Sequence, residues 1–436
     1  MAARADSDLD TTPTTTTGES AIEDYANSPV PHSRTVNGWR VAMIVTGFNI
    51  ALPGFLNGAQ IATALGLSQA VLVALVAGVT LCAMGCLTAA VSVRTRVTTY
   101  VLVQRSFGRS GAALVNIIMA LVHFGWFGVN ASFFGAAMVA ATQELFGVTA
   151  PFSVFVLVGG MLMAVTTIFG FKALDKLALV AVPILAVILG VVLVMATRNY
   201  GIATAPRPDA PVPMSFGVAL TSLVGSNMMT VATMPDLTRY VRTRSQAIVG
   251  MLLSFPLATP LLMLVAAVPA LATGETDIMR LIVGFGLGVP ALLVLILSTW
   301  TINSANLYSA SLSLTATFPR ISQWKFTLLA GACGSLLAVA GIIDAFVSFL
   351  LVLGIIIPPI AAIYVIDAFC SNRAETALRW SAVTTWLCAV VIALLAHLGY
   401  LTLTTVPALD ATLVATAIHG GWTYLSKRGR VEVNDR

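Results

Sequence analysis

The chain has 436 residues, of which 58% are hydrophobic and only 9% charged, with a formal net charge of +5. Soluble domains carry about 25% charged residues, so this composition cannot cover a water-facing surface and excludes a soluble enzyme or binding module. The apolar runs are roughly 20 residues long, enough for a helix to cross a bilayer core of about 30 Å. The roughly ten-residue alternating segments of a membrane barrel do not occur. The fold class this leaves is an all-α polytopic membrane protein, in which each span satisfies its own backbone.

In chain order, residues 1–33 are polar, rich in Thr and Pro, and carry Asp6, Asp8, Asp10, Glu19, Glu23 and Asp24. They read as a disordered tail without a signal peptide. Twelve apolar spans follow, at residues 39–65, 67–93, 110–143, 151–170, 174–197, 215–243, 246–273, 288–316, 325–341, 344–367, 378–397 and 399–425. The first five fall in residues 34–197, the next five in 198–367 and the last two in 368–426, before a basic tail at 427–436. An even number of spans puts both termini on one side.

Charge orients the bundle. The segments on the side of the termini carry Arg34, Arg40, Arg94, Arg96, Arg105, Arg109, Lys172, Lys176, Arg239, Arg242, Arg244, Arg320, Lys325, Arg373 and Arg379. They also carry Arg4, Lys427, Arg428, Arg430 and Arg436, whereas Arg198, Arg207 and Arg280 fall on the other side. The positive-inside rule therefore predicts a cytoplasmic membrane protein with both termini in the cytoplasm. The net positive charge is a matter of loops and does not imply a nucleic-acid partner. The segment 95–111 (TRVTTYVLVQRSFGRSG) is amphipathic and reads as lying along the inner face, with an extra turn of the third span as the alternative.

Two spans break in matching ways. The first contains GFNIALPGFLNG (47–58), and the sixth contains Gly225-Ser226-Asn227 followed by Met234-Pro235-Asp236. A proline removes a backbone donor and displaces the carbonyl one turn back, so the freed groups need a protein or aqueous partner. The breaks lie five spans apart, and the odd separation means opposite entry into the membrane, as in an inverted five-plus-five repeat. Coincidence is the alternative, since Gly and Pro are common in membrane helices.

The polar groups at membrane depth are amides, hydroxyls, an indole and a histidine. His123, Trp126 and Asn130 share one face of the third span, and the eighth span holds Thr301, Asn303, Ser304 and Asn306. Such a set suits a neutral, planar, hydrogen-bonding solute, not a phosphate or carboxylate. Each group has a plainer alternative: packing for Trp126, a satisfied core histidine for His123, and helix–helix hydrogen bonds for Asn49 and Asn227. Asp236, Asp344 and Asp367 read equally as solvated ends of spans. Cys82, Cys86, Cys333, Cys370 and Cys388 read as packing residues, so no metal or cofactor is expected. No GxSxG, HExxH or P-loop pattern is present, which argues against an enzyme.

The segment VHFGWFGVNASFFG (122–135) resembles the third-helix motif of bacterial cytosine permeases in nucleobase–cation symporter family 1. The resemblance extends to TVNGWRVAMIVTGFNIALPGFLNG (35–58), TRVTTYVLVQRSFG (95–108), GSNMMTVATMPDLTRYVR (225–242), STWTINSANLYSAS (298–311) and IIIPPIAAIYVIDAF (355–369). It implies a leucine-transporter-type fold with broken helices 1 and 6. It also implies alternating access and nucleobase uptake coupled to a cation, by a protein functional as a monomer in the lipid bilayer. It implies that Trp126 stacks on the base, that Asn303 bonds its edge, and that the breaks around Gly47–Pro53 and Ser226–Thr230 add contacts; with the polar groups at depth, Asn49, Asn130, Ser226, Asn227 and His123 are then expected to complete the pocket.

The departures are informative. His123 stands where the cytosine permeases carry glutamine, Asn227 where they carry an aromatic ring, and Ser304 where an acid follows the eighth-helix asparagine. The resemblance places a sodium ion between a first-helix carbonyl, here near Ala51, and two adjacent hydroxyls. Here that pair is Thr301-Ile302, and one hydroxyl is lost. Proton coupling is therefore favoured over sodium, with His123 and Asp236 as carriers. Cytosine or a related purine or pyrimidine is the expected cargo. The alternatives are hydantoin, allantoin, uracil or a thiamine precursor within the family, and a passive channel outside it.

Overall fold

The computed structural model describes residues 25–210, 213–370, 376–401, 403, 404 and 406–434, and they are helical throughout the apolar runs. The first apolar run is two helices, α1 (Gly38–Asn49) and α2 (Leu52–Leu65), bent by 61° at Ile50–Ala51. Asn37 caps α1 by accepting from Trp39 N, and Pro53 occupies the first turn of α2, where a missing N–H costs nothing. The next helices are α3 (Leu67–Thr95), α4 (Thr99–Phe146), α5 (Phe152–Thr167) and α6 (Phe171–Tyr200). Gly108 divides α4, with φ 77 and ψ 170, so residues 99–107 form a separate helical arm ahead of the long helix. The left-handed φ suits glycine, and a Cβ there would come within 2.8 Å of the Thr376 carbonyl.

After the loop come α7 (Phe216–Ala232), α8 (Met234–Thr238), α9 (Arg244–Leu252) and α10 (Ala258–Thr273), the last two joined by a π-helical turn at Leu253–Leu257. Next are α11 (Ile278–Gly284), α12 (Gly288–Thr317), α13 (Gln323–Val339), α14 (Phe346–Cys370), α15 (Trp380–His397) and α16 (Pro407–Asn434). By length and composition, seven helices among the described residues are long and apolar enough to cross a membrane, or eight with α1–α2 taken as one span.

The structure departs from the sequence reading in four places. The sixth run is not broken at Gly225-Ser226-Asn227: α7 continues through it and stops at Thr233, ahead of Pro235. Membrane helices tolerate glycine, and here the chain break follows the proline. The short α11 was not expected. The last helix starts at Pro407, eight residues later than predicted, because Gly399 turns the chain at φ 82. It then runs on through the basic segment expected as a tail. Of the predicted tail at 1–33, residues 1–24 lie outside the described residues, while Tyr25 to Val36 pack against the fold.

Helix α12 lies along α4 at the centre, with α5, α6 and α13 beside it, and α14, α15 and α16 pack as a flanking group. Large apolar side chains on α3, α5 and α6 face outward, among them Val79, Leu162 and Val187. That surface matches a hydrocarbon environment. The buried Asp175 of α6 pairs with Arg40 of α1.

Candidate functional site

The bend in the first run, α7 and the central pair α4–α12 enclose a cavity of about 750 Å³. Asn49 and Ala51 enter it from the α1–α2 break, His123, Trp126 and Asn130 from α4, and Ser226 and Asn227 from α7. The sequence reading grouped six of these around the base together with Asn303 and gave Ala51 to the ion; the structure brings the six and Ala51 to one cavity. At its open end the cavity reaches the loop residues Met214, Gly399, Leu401 and Thr404. Among the described residues no Arg or Lys lines it.

The amides are oriented by the backbone around them. Asn49 Nδ2 donates to Ser254 O in the π-helical turn (2.8 Å), Asn130 Nδ2 to Trp126 O (2.8 Å) and Asn227 Nδ2 to Leu223 O (3.1 Å). All three side chains keep the acceptor oxygen for a solute, and Asn49 and Asn130 also keep a second N–H, whereas Asn227 Nδ2 also donates to Ser226 Oγ (3.3 Å). Trp126 meets Phe349 edge-to-face, with ring centroids 5.6 Å apart and planes at 72°. A cavity carrying an indole, amide acceptors and hydroxyls can hold a flat heterocycle by stacking and edge hydrogen bonds.

Three predicted residues lie elsewhere. Asn303 is fully buried on the other side of α12, where Nδ2 points at Phe127 O (3.5 Å) and Met163 Sδ (3.6 Å). Thr301 is buried and donates to Leu297 O (2.7 Å). Its Cγ2 would stand 3.0 Å from a Cβ on Gly47, so the glycine permits this close approach of α1 and α12. Asp236 lies outside the cavity, accepting from Thr99 N (2.9 Å) and Ser309 Oγ (3.2 Å). Ala51 does line the cavity, but its carbonyl accepts from Gly54 N (2.9 Å) and Phe55 N (3.3 Å) at the start of α2.

On α12 the cavity-facing residues are Ile302, Ala305, Asn306 and Ser309; sequence reasoning named Asn306 among the polar groups at depth but gave the site role to Asn303, and it missed Ala305 and Ser309. The spacing of the four, i, i+3, i+4 and i+7, is one helical face, so a single known member would have revealed the rest. Asn306 Oδ1 meets His123 Nδ1 at 3.4 Å, and His123 Nε2 meets the Tyr100 hydroxyl at 3.3 Å. Phe48, Asn57, Ser222 and Thr230 also line the wall, and Ser222 Oγ donates to Asn57 Oδ1 at 3.0 Å between α7 and α2.

The opposite end is closed. Arg239, fully buried, donates to Tyr25 O (2.6 Å), Tyr308 OH (2.9 Å), Tyr240 OH (3.1 Å) and Asp236 O (3.1 Å). Arg96 donates to the carbonyls of Arg239, Val241 and Arg242. The segment Tyr25 to Val36 lies across this knot. Thr98 Oγ1 donates to Ala26 O (3.2 Å), Asn27 Nδ2 to Thr315 O (3.2 Å), Val30 N to Arg96 O (3.0 Å) and Val36 N to Tyr240 O (2.7 Å). Desolvation in this packed setting pulls the Arg96 guanidinium below its ordinary range.

Residues 29–384 match the family described as permease for cytosine/purines, uracil, thiamine, allantoin. The chain belongs to this family. Its relatives include the cytosine permease of Escherichia coli O157:H7, 28% identical over 351 residues, or 80% of this chain and 82% of the relative. The hydantoin permease of Microbacterium maritypicum is 24% identical over 385 residues, covering 81% and 77%. Among solved structures, the nucleobase-cation-symport-1 family transporter Mhp1, in a closed conformation with bromovinylhydantoin bound, superposes with a TM-score of 0.80 at 17% identity. That match covers 93% of this chain and 96% of Mhp1. The permease is thus a multi-pass membrane transporter of the leucine-transporter-type fold, and not an enzyme.

Proposed function

We propose that this permease imports a nucleobase, cytosine or a related purine or pyrimidine, by cation symport with alternating access. The observation that carries the reading is the cavity itself: an indole, amide groups and a histidine meet at a helix break, with no Arg or Lys among the described lining residues. In this reading Trp126 stacks on the base, and His123, Asn49, Asn130, Ser226 and Asn227 surround it. Asn306 takes the edge-binding role first given to Asn303, because it faces the cavity and Asn303 does not.

A proton is favoured over sodium as the coupling ion. Ile302 supplies no oxygen where a second hydroxyl would serve sodium, and the Ala51 carbonyl already accepts from two backbone N–H groups. His123 on the cavity wall and Asp236 behind it are the carriers in this reading, and Asp410 and His397 also line the cavity. The reading includes twelve spans arranged as two inverted halves of five plus two flanking helices, a cytoplasmic membrane location, both termini in the cytoplasm, and function as a monomer.

Counterflow in proteoliposomes tests the proposal, with unlabelled bases as competitors and sodium and pH gradients imposed separately. Accumulation of cytosine or another base under a pH gradient supports it. Exchange without accumulation against a gradient points to a passive channel. Hydantoin is the second reading, favoured by the hydantoin permease among the relatives and by the fold shared with hydantoin-bound Mhp1. Competition by hydantoin without competition by bases decides for it.

A further inference from the structure

Four side chains run in one line from the cavity wall into the closed end. Asn306 Oδ1 faces His123 Nδ1 at 3.4 Å, and an amide oxygen can only accept, so Nδ1 carries the proton. Nε2 is then the acceptor, and the Tyr100 hydroxyl donates to it at 3.3 Å. That hydroxyl also stands beside the Asp236 carboxylate and the Ser309 hydroxyl, and Ser309 donates to Asp236 Oδ2 at 3.2 Å. His123 and Asn306 line the cavity, whereas Tyr100 and Asp236 are buried behind it. Asn306 Nδ2 is buried and has no partner among the described residues.

We propose that this line is the proton relay of the permease, with Tyr100 passing the proton between His123 and Asp236, and that Asn306 reports the proton to the base. The proposal rests on the reading of proton-coupled base uptake above. Before a proton arrives, the neutral ring holds its hydrogen at Nε2, toward the Tyr100 oxygen, and bare Nδ1 accepts from the Asn306 amide. A proton entering from the cavity bonds to Nδ1, and the amide turns its oxygen to it. The Nε2–H bond then breaks as that proton bonds to the Tyr100 oxygen, while the Tyr100 O–H bond breaks and its proton bonds to Asp236 Oδ2. Tyrosine is unchanged, histidine is neutral, aspartate is protonated, and no electrons are exchanged. The orientation present in the structure is the one after arrival at Nδ1, with the Asn306 NH2 group unpaired and enclosed at the wall, so that a base reaches it when the side chains around it shift. The NH2 group takes the acceptor edge of a base, a ring nitrogen or a carbonyl. Proton and acceptor-bearing base therefore favour one another's binding, as reciprocity requires.

The surroundings leave one destination for the proton. The titratable and charged groups facing the line are Tyr308 on α12, Arg239 and Tyr240 after α8, Arg96 at the end of α3, and Tyr364 on α14. Tyr364 is committed as a donor to Ala232 O at 2.7 Å. Asp367 on α14 is engaged by Arg379 and His419. Asp236 is the carboxylate left to receive the proton.

The experiment separates the relay from the transport reading on which it rests. Wild type and Tyr100→Phe are reconstituted without sodium and assayed with radiolabelled cytosine, uracil and adenine, for counterflow at equal pH and for accumulation under an inward proton gradient. Tyr100→Phe is expected to keep counterflow within about twofold and to lose pH-driven accumulation by about tenfold or more, the scale of a lost proton-transfer group. Asp236→Asn is expected to lose pH-driven accumulation as well. Accumulation by Tyr100→Phe equal to wild type overturns the relay. So does a joint loss of counterflow and accumulation in both variants, which marks them as structural residues. Wild-type counterflow without accumulation under the proton gradient overturns the relay and leaves base transport standing. Absence of wild-type counterflow with all three bases overturns both.

Discussion

The two ends of the bundle are built by opposite means. Around the cavity, single side-chain bonds cross between elements: Ser222 to Asn57 joins α7 to α2, Asn49 to Ser254 joins α1 to the π-helical turn, and His123 meets Asn306 between α4 and α12. At the other end, two buried guanidinium groups fan out to carbonyls and tyrosines, and a strap of the chain lies over them. Charge-assisted bonds of this kind are roughly twice as strong as neutral ones. Yet the acceptors are largely main-chain carbonyls, which water can satisfy once that end opens. The knot is strong while shut and leaves little unpaired when released, which is what an alternating seal requires. The cavity wall needs the reverse property, polar groups held in place but still offering an atom to a solute.

The comparison breaks most visibly at Arg239. In Arg239→Gln the carboxylate of Asp236, which lies in the field of that guanidinium, loses its compensating charge. Removing one partner from a buried charged set costs about 3–5 kcal/mol. The expected result is a marked fall in thermal midpoint in detergent, with less protein recovered from membranes and no uptake. An unchanged midpoint would show that the knot is not what holds this end. Trp126→Ala is expected to do the opposite, leaving the midpoint near wild type while lowering base affinity. Base–aromatic stacking is worth about 1–3 kcal/mol, about fivefold to 150-fold in a binding titration. Affinity within twofold of wild type would remove Trp126 from the site.

The same contrast explains what could be read in advance. The helical runs were legible because hydrophobic length alone dictates them, although the last helix starts only at Pro407 and seven or eight helices among the described residues meet the length and composition of a span. The cavity residues on α4 were legible because His123, Trp126 and Asn130 are polar or bulky on one helical face. Two things were hidden by local ambiguity. Gly225-Ser226-Asn227 looked like a break, but Ser226 and Asn227 bond back to Leu223 O and keep the helix continuous. Asn303 and Asn306 are both amides one turn apart, and the packing of α12 against α4 and α5 decides which faces the cavity. The closed end was not legible at all. Its bonds join residues such as Asn27 and Thr315, 288 positions apart, and a polar terminal segment carries no periodic signal of where it docks. Arg239 read only as one more inner positive charge, because burial is a property of the fold and not of the residue.

The smallest effect tests whether the strap belongs to the seal or merely rests on it. Asn27 makes one neutral bond, from Nδ2 to Thr315 O at the end of α12. Losing one such bond costs about 0.5–1.5 kcal/mol, so Asn27→Ala should shift the balance toward the released strap by about twofold to tenfold. A cysteine placed at the buried Val30, in a background without the native cysteines, reads that balance through its rate of modification by a water-soluble thiol reagent. The rate should rise by that factor in Asn27→Ala. Saturating base, which fills the cavity at the other end, should alter it in both proteins by a common factor. If Asn27→Ala leaves the rate unchanged, the strap is held by the Arg96 and Arg239 contacts alone, and the division between the two ends runs through the guanidinium groups and not through the terminal segment.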